Sequence, residues 1–309
     1  MFPIPNLQSF AQITHRIAPN ASLLRAWPLK GGVSADVTAL EIAYPNGDTR
    51  KVVVRQHGER DRQGNPHIAR DEFRLLQRLY LAGFPVPAPV LLDESGEILS
   101  IPYLVIAWIE GVSHEVMLAA HAADDGVRGR AARSLAHFLT ALHQLDLAQR
   151  EVGFLRPHPP SPVLPQGEEA EGETAAQSRA VLEAVWPLTP LNSPVILHGD
   201  LWPGNVLWRE GEIAAVLDWE DAALGDSLID VANTRLETRL AFGVHAQDEF
   251  TREYAALNPT VNMAQLPYRD LFVALRMLAS IGTWGLEAAV EARMRAGVDA
   301  FAREAMHVL

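Results

Sequence analysis

The segment from Val195 to Asp218 constrains the fold more than any other part of the chain. Val195-Ile196-Leu197 is a short apolar run of the kind that forms a buried strand. It leads into a polar loop, His198-Gly199-Asp200-Leu201-Trp202-Pro203-Gly204-Asn205. Val206-Leu207-Trp208 then reads as a second strand, Arg209-Glu210-Gly211-Glu212 as a turn, and Ile213 to Leu217 as a third strand, followed by Asp218-Trp219-Glu220. Folding this hairpin about its turn sets Val206 opposite Leu217 and makes Asn205 and Asp218 neighbours at its open end. Paired strands lie ~5 Å apart, so both side chains reach one cation. Asp200 sits on the loop that enters the hairpin.

One loop carboxylate, one amide and a second carboxylate are what a protein needs to hold Mg²⁺ on a nucleotide and present a hydroxyl to it. Mg²⁺ takes oxygen ligands and often only one or two from protein. Asn205 and Asp218 suit that role as metal ligands. Asp200 is left to accept the proton of an attacking hydroxyl and is the candidate catalytic residue. His198 reads as a packed structural histidine, although an imidazole there also suits a ligand or base. Asp226 and Asp230, four apart at a helix start, read as capping and loop-holding acids. His143 follows an apolar stripe and reads as a core or loop-anchoring histidine. Trp202 and Trp219 flank the site, and either line it or only pack beside it.

The remainder of the 309 residues is long enough for one large domain or two lobes. With 48% apolar and 21% charged residues the composition is that of an ordinary soluble protein, and the absence of cysteine excludes disulfides, thiolate metal sites and cysteine nucleophiles. Met1 to Arg16 lacks the pattern of a signal peptide. The most apolar late stretch, Leu271 to Val290, carries Arg276 and Glu287 and reads as a core helix, not a membrane span. No membrane partner and a cytoplasmic location are the default expectation. The net charge of −12 is unevenly spread: residues 1–110 hold 11 basic and 11 acidic side chains, and residues 111–309 hold 15 and 27. That acidic balance argues against a nucleic-acid partner and suits either a cationic small molecule or a merely solvated surface.

Residues 20–60 read as strands and turns, with Val37 to Ala43 and Lys51-Val52-Val53-Val54-Arg55 joined at an Asn46-Gly47 hairpin signal. Residues from about 68 to 82 read as a helix ending at Gly83, and Pro85, Pro87 and Pro89 force an extended link. Val90 to Leu92 and Tyr103 to Trp108 suggest another hairpin. Beyond Gly111 the chain turns helical, with a helix over about 127–146, a Pro- and Glu-rich surface loop with partial disorder over 153–176, and further helices from about Ser227. The expectation is an α+β protein with a β-rich N-terminal part, residues 1–110, and a mainly helical part, residues 111–309.

At these residues the chain resembles the aminoglycoside phosphotransferase and choline kinase-like family, relatives of the protein kinases. The family's H-G-D-x-x-x-x-N loop is matched by His198, Gly199, Asp200 and Asn205, and its D-W-E form of the second metal motif by Asp218-Trp219-Glu220. Its G-D-P-x-x-D-L-A pattern is similar to Gly225-Asp226-Ser227-Leu228-Ile229-Asp230-Val231-Ala232. The loop is also similar to that of ketosamine (fructosamine) kinases. The resemblance covers about residues 25–240. It implies a bilobal protein-kinase-like fold and Mg²⁺-dependent transfer from ATP or GTP to a hydroxyl of a small molecule. Family members act on aminoglycosides, macrolides, choline, homoserine, methylthioribose and ketosamines.

By the same resemblance, Arg55 at the end of its strand contacts nucleotide phosphates and pairs with the helical Glu72, unless the two form a purely structural ion pair. Lys51 lies on the same strand face, and Lys30 is the only other lysine. Gly31, Gly32 and Ser34 resemble the phosphate-covering turn, or a simple hairpin turn. The stretch from Ile106 through Trp108 to Gly111 resembles the hinge whose backbone meets the nucleobase.

Other readings account for fewer residues. His198-x-Asp200 also begins a two-histidine-one-carboxylate iron site of an Fe(II) oxygenase, but its nearest later histidine, His245, lies in a helical region, and Asn205 and Asp218 are left without a role. Gly225-Asp226-Ser227-Leu228 spells a serine-esterase motif without its triad partner. No G-x-x-x-x-G-K-[ST] is present. A kinase-like nucleotide-binding module without turnover is the non-enzyme alternative.

Overall fold

The computed structural model describes residues 7–29, 35–121, 124, 126–146, 151–158, 164–165 and 172–309. Two compact units are formed. One comprises Met1–Gly111 with Ala214–Glu220, the other Val112–Ile213 with Asp221–Leu309.

The first unit is built on a five-stranded antiparallel sheet. Helix α1 (Leu7–Ile17) leads into β1 (Ser22–Pro28), β2 (Ala35–Ala43) and β3 (Thr49–His57); α2 (Glu59–Gly64) and α3 (Ile68–Leu81) precede β4 (Pro89–Asp93) and β5 (Tyr103–Ala107). The strand order is β1-β2-β3-β5-β4. β2 and β3 pair from Ala35↔His57 to Ala43↔Thr49 around a turn in which Gly47 has φ 90°. On its other side β3 pairs with β5, Val52↔Ala107 to Arg55↔Leu104. As the central strand, β3 buries both faces, which is why it reads as an unbroken apolar run. Side chains alternate across a strand. Val52 and Val54 enter a core with Leu40, Ile42, Tyr103, Val105 and the α1 residues Phe10 and Ile13. Val53, Arg55 and His57 fall on the opposite face. Helix α3 packs on the sheet and buries Ile68, Glu72, Leu75, Leu76 and Leu79. Glu72 thus occupies a position in the buried stripe where helical periodicity calls for an apolar residue.

The second unit is mainly helical: α4 (His114–Ala120), α5 (Gly126–His143), α6 (Glu173–Glu183), α7 (Leu228–Phe242), α8 (Val244–Leu257), α9 (Leu266–Ser280) and α10 (Ala288–Val308). α5 packs on α8, and α9 packs on α6, α7 and α10. Between α6 and α7 run β6 (Val195–Leu197), β7 (Val206–Arg209), β8 (Glu212–Val216) and β9 (Ala223–Gly225). β6 pairs antiparallel with β9, and β7 with β8 across a turn in which Glu210 and Gly211 have φ 53° and 83°.

Two expectations change. The stretch 271–290 is not one helix. α9 ends at Ser280, a 3-10 turn spans Ile281–Thr283, Gly285 takes φ 66°, and α10 begins at Ala288. The stretch 153–176 is not wholly a surface loop. Leu155 and, just before it, Val152 are buried, and the segment is tied to β9 by His158 N–H to Leu224 O (2.6 Å) and Leu224 N–H to Arg156 O (2.9 Å); Glu173 opens α6. The disorder expected at 159–163 and 166–171 lies outside the described residues, as do residues 30–34. Among the described residues no helix is long and apolar enough to cross a membrane.

Candidate active site

In the first unit the structure brings Arg55, Glu72, Asp218 and Glu220 together. Arg55 ends the apolar run of β3, and its guanidinium is buried. Its Nε lies 3.3 Å from Glu72 Oε2, and its Nη2 donates to Asp218 Oδ1 and, at 2.6 Å, to Glu220 Oε2. Glu72 Oε2 also meets His57 Nε2 at 2.6 Å. Burial works to lower the proton affinity of Arg55, but Glu72, Asp218 and Glu220 outweigh it and raise that affinity above the ordinary arginine range. Burial pushes Glu72 the other way, upward; Arg55 and His57 overcome it and hold the carboxyl down at about 2. The Val216–Glu220 segment is fastened to this unit by Val216 N–H to Pro85 O (2.8 Å). Trp219 is buried, with its indole N–H on Val216 O (3.1 Å), so it packs and does not line a site. Asp218 itself has φ 66°, a left-handed backbone that costs a non-glycine residue ~1 kcal/mol.

Lys51 stands elsewhere. Its ammonium pairs with Glu110 (3.2 Å) and lies over the Trp108 ring (5.2 Å). Four residues along a strand span ~13 Å, which separates Lys51 from the Arg55 cluster. Ile106 is paired within the sheet to Val53 and Pro89, and the Trp108 amide donates to Lys51 O (3.3 Å). Gly31, Gly32, Ser34 and Lys30 lie outside the described residues.

In the second unit the loop after β6 carries Asp200 and Asn205. Its conformation is set from α7. The Asp230 carboxylate accepts the backbone N–H of His198 (2.8 Å) on one oxygen and of Gly199 (2.9 Å) on the other. His143 Nε2 lies 3.3 Å from Asp230, while its Nδ1 meets the Tyr254 hydroxyl at 2.8 Å. Burial would raise the Asp230 carboxyl, but the His143 contact and the His198 environment hold it below the usual range. Thr234 adds a hydrogen bond to Leu201 O (2.9 Å), and Asp200 N–H donates to His198 Nδ1 (3.2 Å). His198 is therefore a fully buried scaffold residue. Gly199 has φ 86°, and a Cβ there would lie 2.4 Å from Asp221 O. Trp202 covers Gly204, where a Cβ would lie 2.1 Å from its ring, and packs edge-on against His114 at 5.6 Å. Asp226 fastens the connection before β6, accepting from Asn192 Nδ2 (3.0 Å) and from the N–H groups of Leu191 (3.3 Å) and Leu228 (3.0 Å).

Asn205, closing a 3-10 turn, directs its amide N–H₂ to Asp200 O (2.9 Å) and Asp200 Oδ2 (3.2 Å). With its nitrogen spent on Asp200, its oxygen is left as a hard donor. Asp218 is a hard donor too, since Arg55 uses only one of its oxygens. Among the described residues no group of three or more His, Cys, Asp or Glu is placed to hold a metal. Taken singly, an asparagine oxygen and an aspartate oxygen are each donors of the kind Mg²⁺ takes, with phosphate and water filling its other positions.

One neighbour of Asp200 was not singled out in the sequence. Glu237, half-buried on α7, is pushed up to about 8, first by burial and then by the charge of Asp200, against the opposing pull of Arg276. It lies seven residues, two helical turns, after Asp230, a spacing that puts it on the same helix face. That periodicity was the available signal.

An antiparallel sheet with a buried Arg–Glu pair beside the D-W-E acid, and a helical unit with the H-G-D-x-x-x-x-N loop, define a protein-kinase-like phosphotransferase. The chain belongs to the phosphotransferase enzyme family, whose model matches residues 28–266. Solved structures share the fold at low identity. Aminoglycoside 2'-phosphotransferase-IIIa as its GDP complex is 18% identical with a TM-score of 0.65, covering 98% of this chain and 100% of that one. A thermostable mutant of aminoglycoside phosphotransferase APH(4)-Ia, with AMP-PNP and hygromycin B, is 18% identical with a TM-score of 0.60, over 96% and 98%. Macrolide 2'-phosphotransferase MphH from Brachybacterium faecium is 19% identical with a TM-score of 0.57, over 94% and 98%. Among curated proteins, acyl-CoA dehydrogenase family member 10 of Mus musculus is 26% identical over 196 residues, and member 11 of Gallus gallus 26% over 179. These cover 59% and 54% of this chain, which spans only 18% and 23% of those relatives.

Proposed function

We propose that the protein transfers the γ-phosphoryl group of ATP or GTP to a hydroxyl of a small molecule, with Mg²⁺. The observation that carries this reading is the loop in which Asn205 spends its amide nitrogen on Asp200 while Asp230 holds the loop backbone. It leaves the Asp200 carboxylate steadied to receive a proton and the Asn205 oxygen available to a cation. In the reaction the acceptor oxygen bonds to the γ-phosphorus, the bond to the nucleoside diphosphate breaks, and Asp200 takes the hydroxyl proton. Asn205 and Asp218 would hold Mg²⁺, which neutralises charge on the phosphates when bound. Arg55, set by Glu72, steadies the nucleotide; the described Lys51 has other partners. Gly31, Gly32 and Ser34 would cover the phosphates, and the backbone from Ile106 through Trp108 to Gly111 would meet the base. Residues 1–110 then serve as the nucleotide-binding part and 111–309 as the catalytic and acceptor-binding part, in a cytoplasmic enzyme. Nucleotide use is supported by the GDP and AMP-PNP complexes of the structural neighbours. The acidic balance of residues 111–309 favours an amine-bearing acceptor.

The test is a phosphotransfer screen over hydroxylated amines, amino acids and sugars with Mg²⁺ and either nucleotide. Transfer should occur in the parent and fall ~10²–10⁴-fold in Asp200→Ala with the fold retained. Nucleotide binding without transfer to any acceptor would favour the binding-module reading. Transfer confined to neutral or anionic acceptors would overturn the charge argument alone.

A further inference from the structure

The second unit contains a cavity of about 160 Å³ between the chain before β6 and helices α7 and α9. Its walls are of two kinds. Trp186 and Phe272 stack on one another at 4.9 Å, with planes 6° apart, and Leu188 and Ile229 extend the apolar surface. Against this stands Arg269, nine-tenths buried, whose Nε has no hydrogen-bond partner and whose guanidinium makes no ion pair within 4 Å among the described residues. Asp226, the acid in the same wall, is already spent on Leu191, Asn192 and Leu228. Burial lowers the proton affinity of Arg269, and Asp226 offsets this only from a distance. Arg276, exposed in the same wall, adds a second positive charge while donating to Asn233 Oδ1 at 2.5 Å. A buried cation without a contacting counter-charge is costly unless something pairs with it.

We propose that this cavity binds a small organic anion carrying one flat apolar group, an aromatic carboxylate of about the size of benzoate or phenylacetate. The volume sets the size, since a cavity of ~150 Å³ holds one benzene ring. The chemistry sets the charge, since a guanidinium takes a carboxylate through paired N–H donors. The cavity meets a different turn of α7 from the proposed transfer site, with Arg276, whose charge also acts on Glu237, between them. Ile229 in its wall and Glu237 beside Asp200 are eight residues apart on α7, ~12 Å along the helix.

The experiment is a ligand-observed NMR titration of the full chain with phenylacetate, its neutral counterpart 2-phenylethanol, and inorganic phosphate. Phenylacetate should bind with a Kd of about 1 mM or tighter, and 2-phenylethanol and phosphate at least about tenfold more weakly. Arg269→Met, which keeps the apolar stem, should lose at least about tenfold in affinity, and Phe272→Ala should also weaken binding. Equal binding of 2-phenylethanol, equal binding of phosphate, or no phenylacetate binding at about 10 mM overturns the proposal, and each is read on the unmodified protein even if the variants do not fold. Binding should be unchanged in Asp200→Ala, so the outcome is independent of whether phosphotransfer is found.

Discussion

Asp218 carries two conflicting demands in one residue. Its carboxylate meets Arg55, and its backbone is held at φ 66°. Asparagine tolerates that backbone well but lacks the charge. Asp218→Asn is therefore expected to keep the fold, since Arg55 retains Glu72 and Glu220, and to weaken Mg²⁺-nucleotide affinity by ~10²-fold or more in calorimetry with AMP-PNP. Glu72→Gln removes the charge shared by Arg55 and His57, and should destabilise the first unit by ~3 kcal/mol in urea unfolding. The same residue sets an acid limit. The Glu72 carboxyl is held at about 2 against an ordinary 4.5, so its stabilisation is complete above about pH 4.5 and is lost as pH falls toward 2. Acid-unfolding curves of Glu72→Gln should lose that part of the slope. Arg55 and Glu72 were legible beforehand through the family resemblance, which sets a basic residue at the end of an apolar strand against an acid on the following helix. Glu220 as a third acid on Arg55 was not, because that contact joins positions 165 residues apart.

At the scale of elements, the loop 198–205 owes its shape to a helix that begins more than twenty residues later. Asp230→Ala leaves the His198 and Gly199 amides and His143 without their acceptor. The expected result is ~3 kcal/mol of lost stability and a fall in kcat larger than any change in nucleotide KM, measured side by side by denaturation and steady-state kinetics. Gly199→Ala meets both a left-handed backbone and Asp221, and should be worse tolerated than Gly153→Ala, where a Cβ meets nothing within 4 Å. The long elements were readable: α3, α5, β2 and β3 have strong periodicity or a hairpin turn between them. α1, α6 and β9 escaped. The spacing of Phe10, Ile13 and Ile17 on α1 is present but short and interrupted by polar residues. β9 is three residues long and exists because β6 needs a partner, a requirement no local pattern states.

Across the whole molecule, buried acids pull stability in opposite directions with pH. Asp270, buried on α9 beside Arg235 (3.2 Å), is raised to about 7 by burial, which outweighs the pull of Arg235. Between about pH 4 and 7 the folded chain binds a proton there that the unfolded chain has lost, so stability falls as pH rises through this window. Asp270→Asn should flatten that decline in denaturant midpoints taken at pH 5, 6 and 7. Glu237 transfers the same logic to activity. Its ionisation at about pH 8 places a second negative charge beside Asp200 and opposes an anionic nucleotide. kcat/KM should descend above about pH 8 in the parent, and this descent should be absent in Glu237→Gln.

The order of motifs along the chain determined the family and the reaction class, because loop chemistry of this kind needs fixed residue types at fixed spacings. The resemblance carried by those motifs also paired Arg55 with Glu72, while the burial of that pair between sheet and helix came only with the fold. Only the tertiary structure decided which acids surround Arg55, which carboxylate holds the Asp200 loop, that Lys51 belongs to Glu110 and Trp108, and that the Arg269 guanidinium is buried without an ion-pair partner among the described residues. Each of these depends on side chains far apart in sequence meeting at hydrogen-bond distance, where a displacement of an ångström changes the partner and no local propensity records it.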